Sequence, residues 1–130
     1  MKTLSIFLAL FSLLISGCSH TPLPAQQVNN GVNHVILLWL KDPGNLKQQQ
    51  QIIDATRSLE KIPGVINIRV GTVMPSERSI VDDSFNIGIH MLFTDKSAMQ
   101  QYVSHPEHTK TVSSAIMPFV EKILIYDFEE

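Results

Sequence analysis

The segment 33–41 is apolar at six of its nine positions, without the strict alternation of a strand that has one solvated face. In an extended chain one side of the strand carries His34, Ile36, Leu38 and Leu40, and the other carries Val35, Leu37, Trp39 and Lys41. Both sides of this strand therefore need a cover. A layer of helices supplies one cover, and a second sheet or a second subunit has to supply the other.

The periodicity of the remaining chain predicts three helices and three more strands. Helical spacing of apolar residues, capping residues and prolines set the boundaries. The predicted elements are a helix over 45–62, strands over 65–73 and 84–93, helices over 96–103 and 106–117, and a last strand over 121–128. This order is typical of a ferredoxin-like α+β fold, in which helices cover one face of a four-stranded antiparallel sheet.

Local patterns add detail to two of these elements and to one loop. The apolar face of the first helix is predicted to consist of Leu46, Ile52, Ala55, Leu59 and Ile62. Asn45 is expected to cap this helix, with the run Gln48–Gln51 on its solvated face. Gly71 indicates a bulge or a close approach in the second strand. Residues 74–83 exceed what a tight hairpin needs, so we expect a long loop, and it is a candidate for a mobile flap.

Trp39 marks the sheet face that the helices do not cover. Together with Val35 and Leu37 it would expose a large apolar patch, which soluble proteins avoid. Two such sheets facing each other bury the patch on both. We therefore expect a homodimer whose two sheets form an eight-stranded, barrel-like core.

Residues 1–17 have the composition of an export signal. Lys2 supplies a positive charge, and the apolar run that follows is too short for a membrane-spanning helix. The stretch from Leu14 to Cys18, LISGC, looks like a bacterial lipobox, in which the cysteine after the cleavage site is acylated. An ordinary signal peptide with an incidental cysteine is the alternative interpretation.

The lipobox interpretation divides the chain into three parts. We expect a lipoprotein signal peptide over 1–17, the lipidated Cys18 with a flexible tether over 18–32, and a folded domain over 33–130. Ser19 follows the cysteine, which favours the outer membrane among such lipoproteins. The predicted location is the bacterial cell envelope, with the domain facing the periplasm.

Charge and cysteine content exclude several classes of partner. Twelve acidic and ten basic side chains give a formal net charge of −2 without a basic stripe, so no nucleic acid is expected. The only cysteine is Cys18, so the exported domain forms no disulfide. His105 and His108 are separated by Pro106 and lack a His-Glu-x-x-His pattern, so no metal is expected.

Several motifs resemble those of one known family, the stress-responsive dimeric α/β-barrel (Dabb) domain. The motifs are residues 34–41 (HVILLWLK), 62–65 (IPGV) with Gly71, 93–95 (FTD), and 102–108 (YVSHPEH). The resemblance covers most of residues 33–128 and implies the dimer expected above. The family also contains a plant polyketide cyclase, olivetolic acid cyclase, which implies chemistry without a metal or organic cofactor.

The resemblance to the cyclase assigns roles to three residues. It implies that His108 is the catalytic base, that Tyr102 supports it, and that His34 lines the same pocket. A further pocket histidine of the cyclase corresponds to Ile87 here, which departs from that pattern. We expect Ile36, Leu38 and Ile87 to form apolar walls of a small-molecule pocket.

For each of these polar residues, a purely structural role is the alternative to a role in a binding site. An imidazole at a helix N-terminus can satisfy free backbone groups, and Tyr102 can be a core residue at a helix end. Two function classes remain open at this point. One is an envelope-anchored domain that binds a small, largely apolar molecule, with or without acid–base chemistry. The other is a non-catalytic stress-response or envelope interaction module that acts through its dimer surface.

Overall fold

A computed structural model describes residues 31–130 of the chain. Four strands and three α-helices form the domain, in the order β1 (Val32–Leu40), α1 (Leu46–Arg57), β2 (Val65–Thr72), β3 (Ile87–Phe93), α2 (Lys96–Ser104), α3 (Pro106–Thr111) and β4 (Val120–Glu129). Short 3₁₀ turns span Ser58–Lys61 and Met117–Phe119, and a π-helical segment spans Val112–Ile116.

The four strands form one antiparallel sheet in the order β2-β3-β1-β4. Helices cover one face, and the core lies between the two layers. Its centre contains Leu38, Ile52, Leu59, Ile87, Met91 and Phe93, all at most 2% exposed. The predicted ferredoxin-like α+β fold is therefore confirmed, and alternate residues of β1 and β3 face the core as expected.

The buried face of α1 differs from the predicted one. Leu46 is 75% exposed, whereas Gln49 is buried within the run that was expected to be solvated. The Nε2 of Gln49 donates to the Pro43 carbonyl at 2.6 Å, which satisfies the buried amide. Thr56 is also buried, with its hydroxyl donating to the Ile52 carbonyl. Asn45 caps the helix as predicted, since its side chain accepts from the Gln48 N–H at 3.0 Å.

Neither the bulge nor the close approach predicted at Gly71 is present among the described residues, since a Cβ there would meet nothing within 4 Å. Gly71 pairs regularly with Gly88, and the irregularity of β2 lies between Val65 and Asn67. The glycine that the backbone requires is Gly64, which has a φ of 90°. A Cβ there would lie 2.6 Å from the Ala98 Cβ, so the turn before β2 needs glycine for two reasons.

Several predicted boundaries shift. Val32 belongs to β1, and the Gly31 carbonyl accepts a hydrogen bond from the Glu130 N–H. The tether predicted over 18–32 therefore included two residues that belong to the folded domain. Residues 84–86 precede β3 and lengthen the loop that was predicted over 74–83. The helix predicted over 106–117 changes to π geometry at Val112. The predicted signal peptide over 1–17 and Cys18 lie outside the described residues.

The outer face of the sheet carries apolar side chains that no helix covers. On β1 these are Val35, Leu37 and Trp39, and on β4 they are Leu124, Tyr126 and Phe128. The three β4 side chains are 36%, 54% and 51% exposed. Within residues 31–130, no helix is long and apolar enough to cross a membrane.

We expect Gly64→Ala to lower the free energy of unfolding by roughly 2 kcal/mol or more, because alanine is strained at positive φ and clashes with Ala98. Urea denaturation measures this change. The matched control is Gly44→Ala, where a Cβ meets nothing closer than 3.9 Å. Equal stability of the two variants would contradict the assigned turn.

Candidate functional site

A cavity of about 170 Å³ lies between the sheet and the helices. Its walls are mainly apolar, and its polar side chains are few. The lining residues are His34, Ile36, Leu38, Thr56, Leu59, Ile89, Met91, Tyr102, Val103, His108, Val112, Ile116, Met117, Ile123 and Ile125. Three predicted site residues, His34, Tyr102 and His108, therefore line one cavity. Such a combination of apolar walls with a few polar groups is typical of small-molecule sites.

A break between two helices brings Tyr102 and His108 together. α2 ends at Ser104, His105 is extended, and Pro106 starts α3. The side chain of His105 accepts from the Glu107 N–H, which caps the new helix. Across this break the rings of Tyr102 and His108 pack at a centroid distance of 4.5 Å.

Tyr102 is held deep in the core. It is 1% exposed, and its ring lies 5.0 Å from that of Phe93 on β3. Its hydroxyl has no hydrogen-bond partner among the described residues. Burial raises the pKa of Tyr102 well above its usual value, so the group stays protonated and is available as a donor.

His108 has a defined tautomer. Its Nδ1 lies 2.9 Å from the Val103 carbonyl, and because a carbonyl only accepts, Nδ1 carries the proton. The Nε2 of the neutral ring is then a proton acceptor. Burial lowers the pKa of His108 below its ordinary value of 6.5, although the bond to Val103 acts in the opposite direction. Like charge on His34 and His105 lowers it further. The ring is therefore neutral at neutral pH, as a general base requires.

Asp127 is a site residue that the sequence reasoning missed. β1 and β4 pair so that His34 lies directly opposite Asp127, and the His34 Nδ1 donates to Asp127 Oδ1 at 2.5 Å. His34 is buried, whereas the Asp127 side chain is 45% exposed. The bond fixes the orientation of the imidazole and leaves its Nε2 without a hydrogen-bond partner among residues 31–130. The available signal was a carboxylate that interrupts the apolar run of the strand over 121–128.

Not every predicted residue lies at the cavity. Ile36 and Leu38 line it, but Ile87 does not. Ile87 lies at the start of β3, opposite Leu38, and is fully buried in the core. His105 caps α3, as its structural alternative required. His90 lies on the outer face of the sheet, where its Nε2 contacts Asn33 Oδ1 at 2.8 Å.

Among residues 31–130, no group of three His, Cys, Asp or Glu is placed to hold a metal ion.

The arrangement defines the chemistry that the cavity can support. An apolar molecule gains free energy by burial between the isoleucine and methionine side chains. A polar oxygen on that molecule finds a donor in the Tyr102 hydroxyl, and an acidic proton finds an acceptor in the His108 Nε2. His34, fixed by Asp127, adds a third hydrogen-bonding group at the same wall.

The fold and cavity define a class of ferredoxin-like α+β domains with a pocket between sheet and helices. The model of the stress-responsive A/B barrel domain (Dabb) family matches residues 32–130, and the chain belongs to this family. Among curated relatives, a stress-response A/B barrel domain-containing protein of Arabidopsis thaliana is 22% identical over 105 residues. The match covers 81% of this chain, but only 38% of the length of that relative.

Solved structures show the same fold. A Dabb family protein with a ferredoxin-like fold from Mesorhizobium loti is 26% identical, with a TM-score of 0.63 over 77% of this chain and 96% of that one. The hydroxynitrile lyase of Passiflora edulis is 20% identical, with a TM-score of 0.69 over 80% and 95%. A dimeric ferredoxin-like protein of unknown function from Thermobifida fusca is 19% identical, with a TM-score of 0.64 over 78% and 92%.

We expect the His108 imidazole to titrate below pH 6.5 in the folded protein, because burial disfavours its charged form. NMR of the ring Cε1–H signal as a function of pH measures this pKa, and the urea-unfolded protein is the reference. Since the unfolded chain binds the proton more readily, this residue destabilises the fold as pH falls below about 6.5. A folded-state pKa above the unfolded value would contradict the described burial.

Proposed function

We propose that the domain binds a small, largely apolar molecule that carries a carbonyl or phenolic oxygen. The observation that carries this proposal is the Tyr102 hydroxyl, a buried donor without a partner among the described residues at the wall of an apolar cavity. Leaving such a group unsatisfied costs roughly 1–3 kcal/mol, and a ligand oxygen removes that cost. His108, whose ring packs against Tyr102 at an interplanar angle of 53°, contacts the same molecule with its Nε2.

The size of the cavity limits the ligand. An apolar protein cavity of about 150 Å³ accepts benzene, so the 170 Å³ here suits a molecule of one substituted ring. Phenol and benzaldehyde are therefore suitable probes. Both combine a flat apolar body with an oxygen that Tyr102 can reach.

Proton transfer by His108 is the chemical step that this geometry supports. The neutral imidazole accepts a proton from a bound acidic C–H or O–H group, and Tyr102 stabilises the adjacent oxygen by donating to it. Such a step needs neither a metal nor an organic cofactor. That the same fold hosts the hydroxynitrile lyase of Passiflora edulis supports an enzymatic use of the scaffold. The cyclase has a further pocket histidine at the position that Ile87 occupies here, so no second base is proposed at that position.

We expect Tyr102→Phe to weaken phenol binding about three- to tenfold, because one hydrogen bond is lost while the ring is retained. Chemical-shift perturbation during an NMR titration measures the affinity. Tyr126→Phe is the matched control, since Tyr126 is the only other tyrosine and lies on the opposite face of the sheet.

His108→Ala is expected to weaken the binding of both probes as well, whereas His90→Ala is not, since His90 lies on the outer face. Equal affinity of the Tyr102 variant and the wild type would contradict the proposal. Perturbations confined to the outer face of the sheet would favour the alternative, an interaction module that acts through its dimer surface.

The proposal includes a homodimer. The uncovered side chains on the outer face of β1 and β4 support it, because they form an apolar patch that a second sheet would bury. Structural neighbours from Thermobifida fusca, Bacteroides fragilis and Jannaschia are described as dimeric and share this fold. Two facing sheets would form the barrel-like core expected from the sequence.

We also propose that the protein is a lipoprotein of the bacterial outer membrane that faces the periplasm. The support is the LISGC stretch that ends at Cys18 and the serine that follows it. We expect Cys18→Ser to abolish incorporation of an alkyne-labelled fatty acid and to release the protein from the membrane fraction. Ser16→Thr is the control for a change near the cleavage site. Fatty-acid labelling of the Cys18→Ser variant would contradict the assignment.

A further inference from the structure

Two histidines line the cavity, and each is held by a different kind of partner. The Nδ1 of His34 donates to the Asp127 carboxylate at 2.5 Å, whereas the Nδ1 of His108 donates to the Val103 carbonyl at 2.9 Å. In both rings the other nitrogen, Nε2, has no hydrogen-bond partner among residues 31–130. One molecule in the cavity can therefore contact both Nε2 atoms.

The two partners differ in charge. A positive charge on the buried His34 is compensated by the negative carboxylate that contacts it. A positive charge on His108 meets only a neutral carbonyl, because the neighbouring Glu107 carboxylate contacts Lys61 instead. Burial also lowers the pKa of His108, as does positive charge on His34. A proton is therefore better accommodated on His34 than on His108.

We propose that His34 and His108 form an acid–base pair that moves a proton between two carbons of one bound ketone, with Asp127 as the positioning residue of the acid. The proposal rests on the proposed function, because it uses the same cavity and the same donor, Tyr102, and adds a reaction and a substrate class. Two titratable groups in environments of opposite effect are the general basis on which one site supplies both an acid and a base.

The substrate class that fits this pair is a β,γ-unsaturated ketone built on one ring. The His108 Nε2 takes a proton from the carbon between the carbonyl and the double bond, and the electron pair of that C–H bond passes into a dienolate. The Tyr102 hydroxyl donates to the oxygen that gains negative charge. The protonated Nε2 of His34 then gives its proton to the γ carbon. One C–H bond breaks and one forms, so the product is the conjugated isomer and no oxidant, reductant or cofactor is required.

The open side of the cavity returns both rings to their starting states. Ile123 and Ile125 line the cavity from β4 and are 40% and 45% exposed. Once the product leaves, water that enters on this side accepts the proton held by His108 and supplies a new one to the Nε2 of His34. The proton that reaches the γ carbon therefore originates from solvent.

Isomerisation in deuterium oxide tests whether two different groups transfer the proton. The probe is the β,γ-unsaturated isomer of cyclohexenone, incubated with the purified full chain in detergent, and buffer without protein is the blank. The absorbance of the conjugated product measures the rate, and NMR of the product locates the label. We expect solvent deuterium at the γ carbon in most turnovers, because acid and base are separate residues.

Asp127→Asn tests the positioning role. Asparagine keeps the size of the side chain and an acceptor oxygen for the His34 Nδ1–H, but it lacks the negative charge. We expect kcat to fall by roughly tenfold or more with KM changed less than about twofold, whereas His34→Gln lowers kcat by about a hundredfold. Glu129→Gln is the matched control, because it removes a carboxylate from the same strand that does not line the cavity. Circular dichroism checks that each variant is folded.

The outcomes separate this proposal from the binding site on which it rests. Binding of the ketone without isomerisation overturns the acid–base pair but not the binding site, and so does a kcat that Asp127→Asn leaves unchanged. A product that keeps the substrate's own proton at the γ carbon also overturns the pair, because one base then carries the proton. A cavity that binds neither phenol nor the ketone overturns the proposed function and the pair together.

Discussion

The packing of Tyr102 between Phe93 and His108 is the interaction on which the site depends. The ring centroids are 5.0 Å and 4.5 Å apart, so three rings connect β3, α2 and α3 in one row. This contact holds the helix break at His105 and Pro106 against the sheet. It also buries a hydroxyl without a partner among residues 31–130, which destabilises the fold by roughly 1–3 kcal/mol. Stability and binding are thus linked at one residue, because a ligand that accepts from Tyr102 offsets that cost.

The second constraint is that the helices cover only part of the sheet. They close over β1 and β3, whose inward residues are buried, but leave β4 exposed along most of its length. The cavity lies at this boundary, with buried residues on one side and the half-exposed Ile123 and Ile125 on the other. Asp127 stands on the same strand, where it holds His34 while remaining partly solvated. The uncovered edge strand β4 therefore leaves one side of the cavity open to solvent and supplies the carboxylate of Asp127.

The sequence predicted the fold because its strongest signals are local. Alternation along β3, the Asn45 cap and the break at Pro106 each depend on neighbouring residues, and the structure has all three. The wrong or missing predictions concern residues whose burial or role depends on tertiary contacts. Gln49 is buried instead of Leu46 because a backbone carbonyl satisfies its amide, which helical periodicity does not reveal. Asp127 was missed because its role depends on the register of β4 against β1, a pairing of residues 93 positions apart.

A crystal structure of the protein soaked with phenol would show whether the Tyr102 hydroxyl binds a ligand oxygen inside the cavity. We expect a phenol ring between Ile36 and Ile116, with its oxygen within hydrogen-bond distance of the Tyr102 hydroxyl, about 2.7 Å. The His108 ring would remain packed against Tyr102 and hydrogen-bonded to the Val103 carbonyl. A cavity that stays free of phenol, with the ligand bound only on the outer face of the sheet, would contradict a binding site at Tyr102.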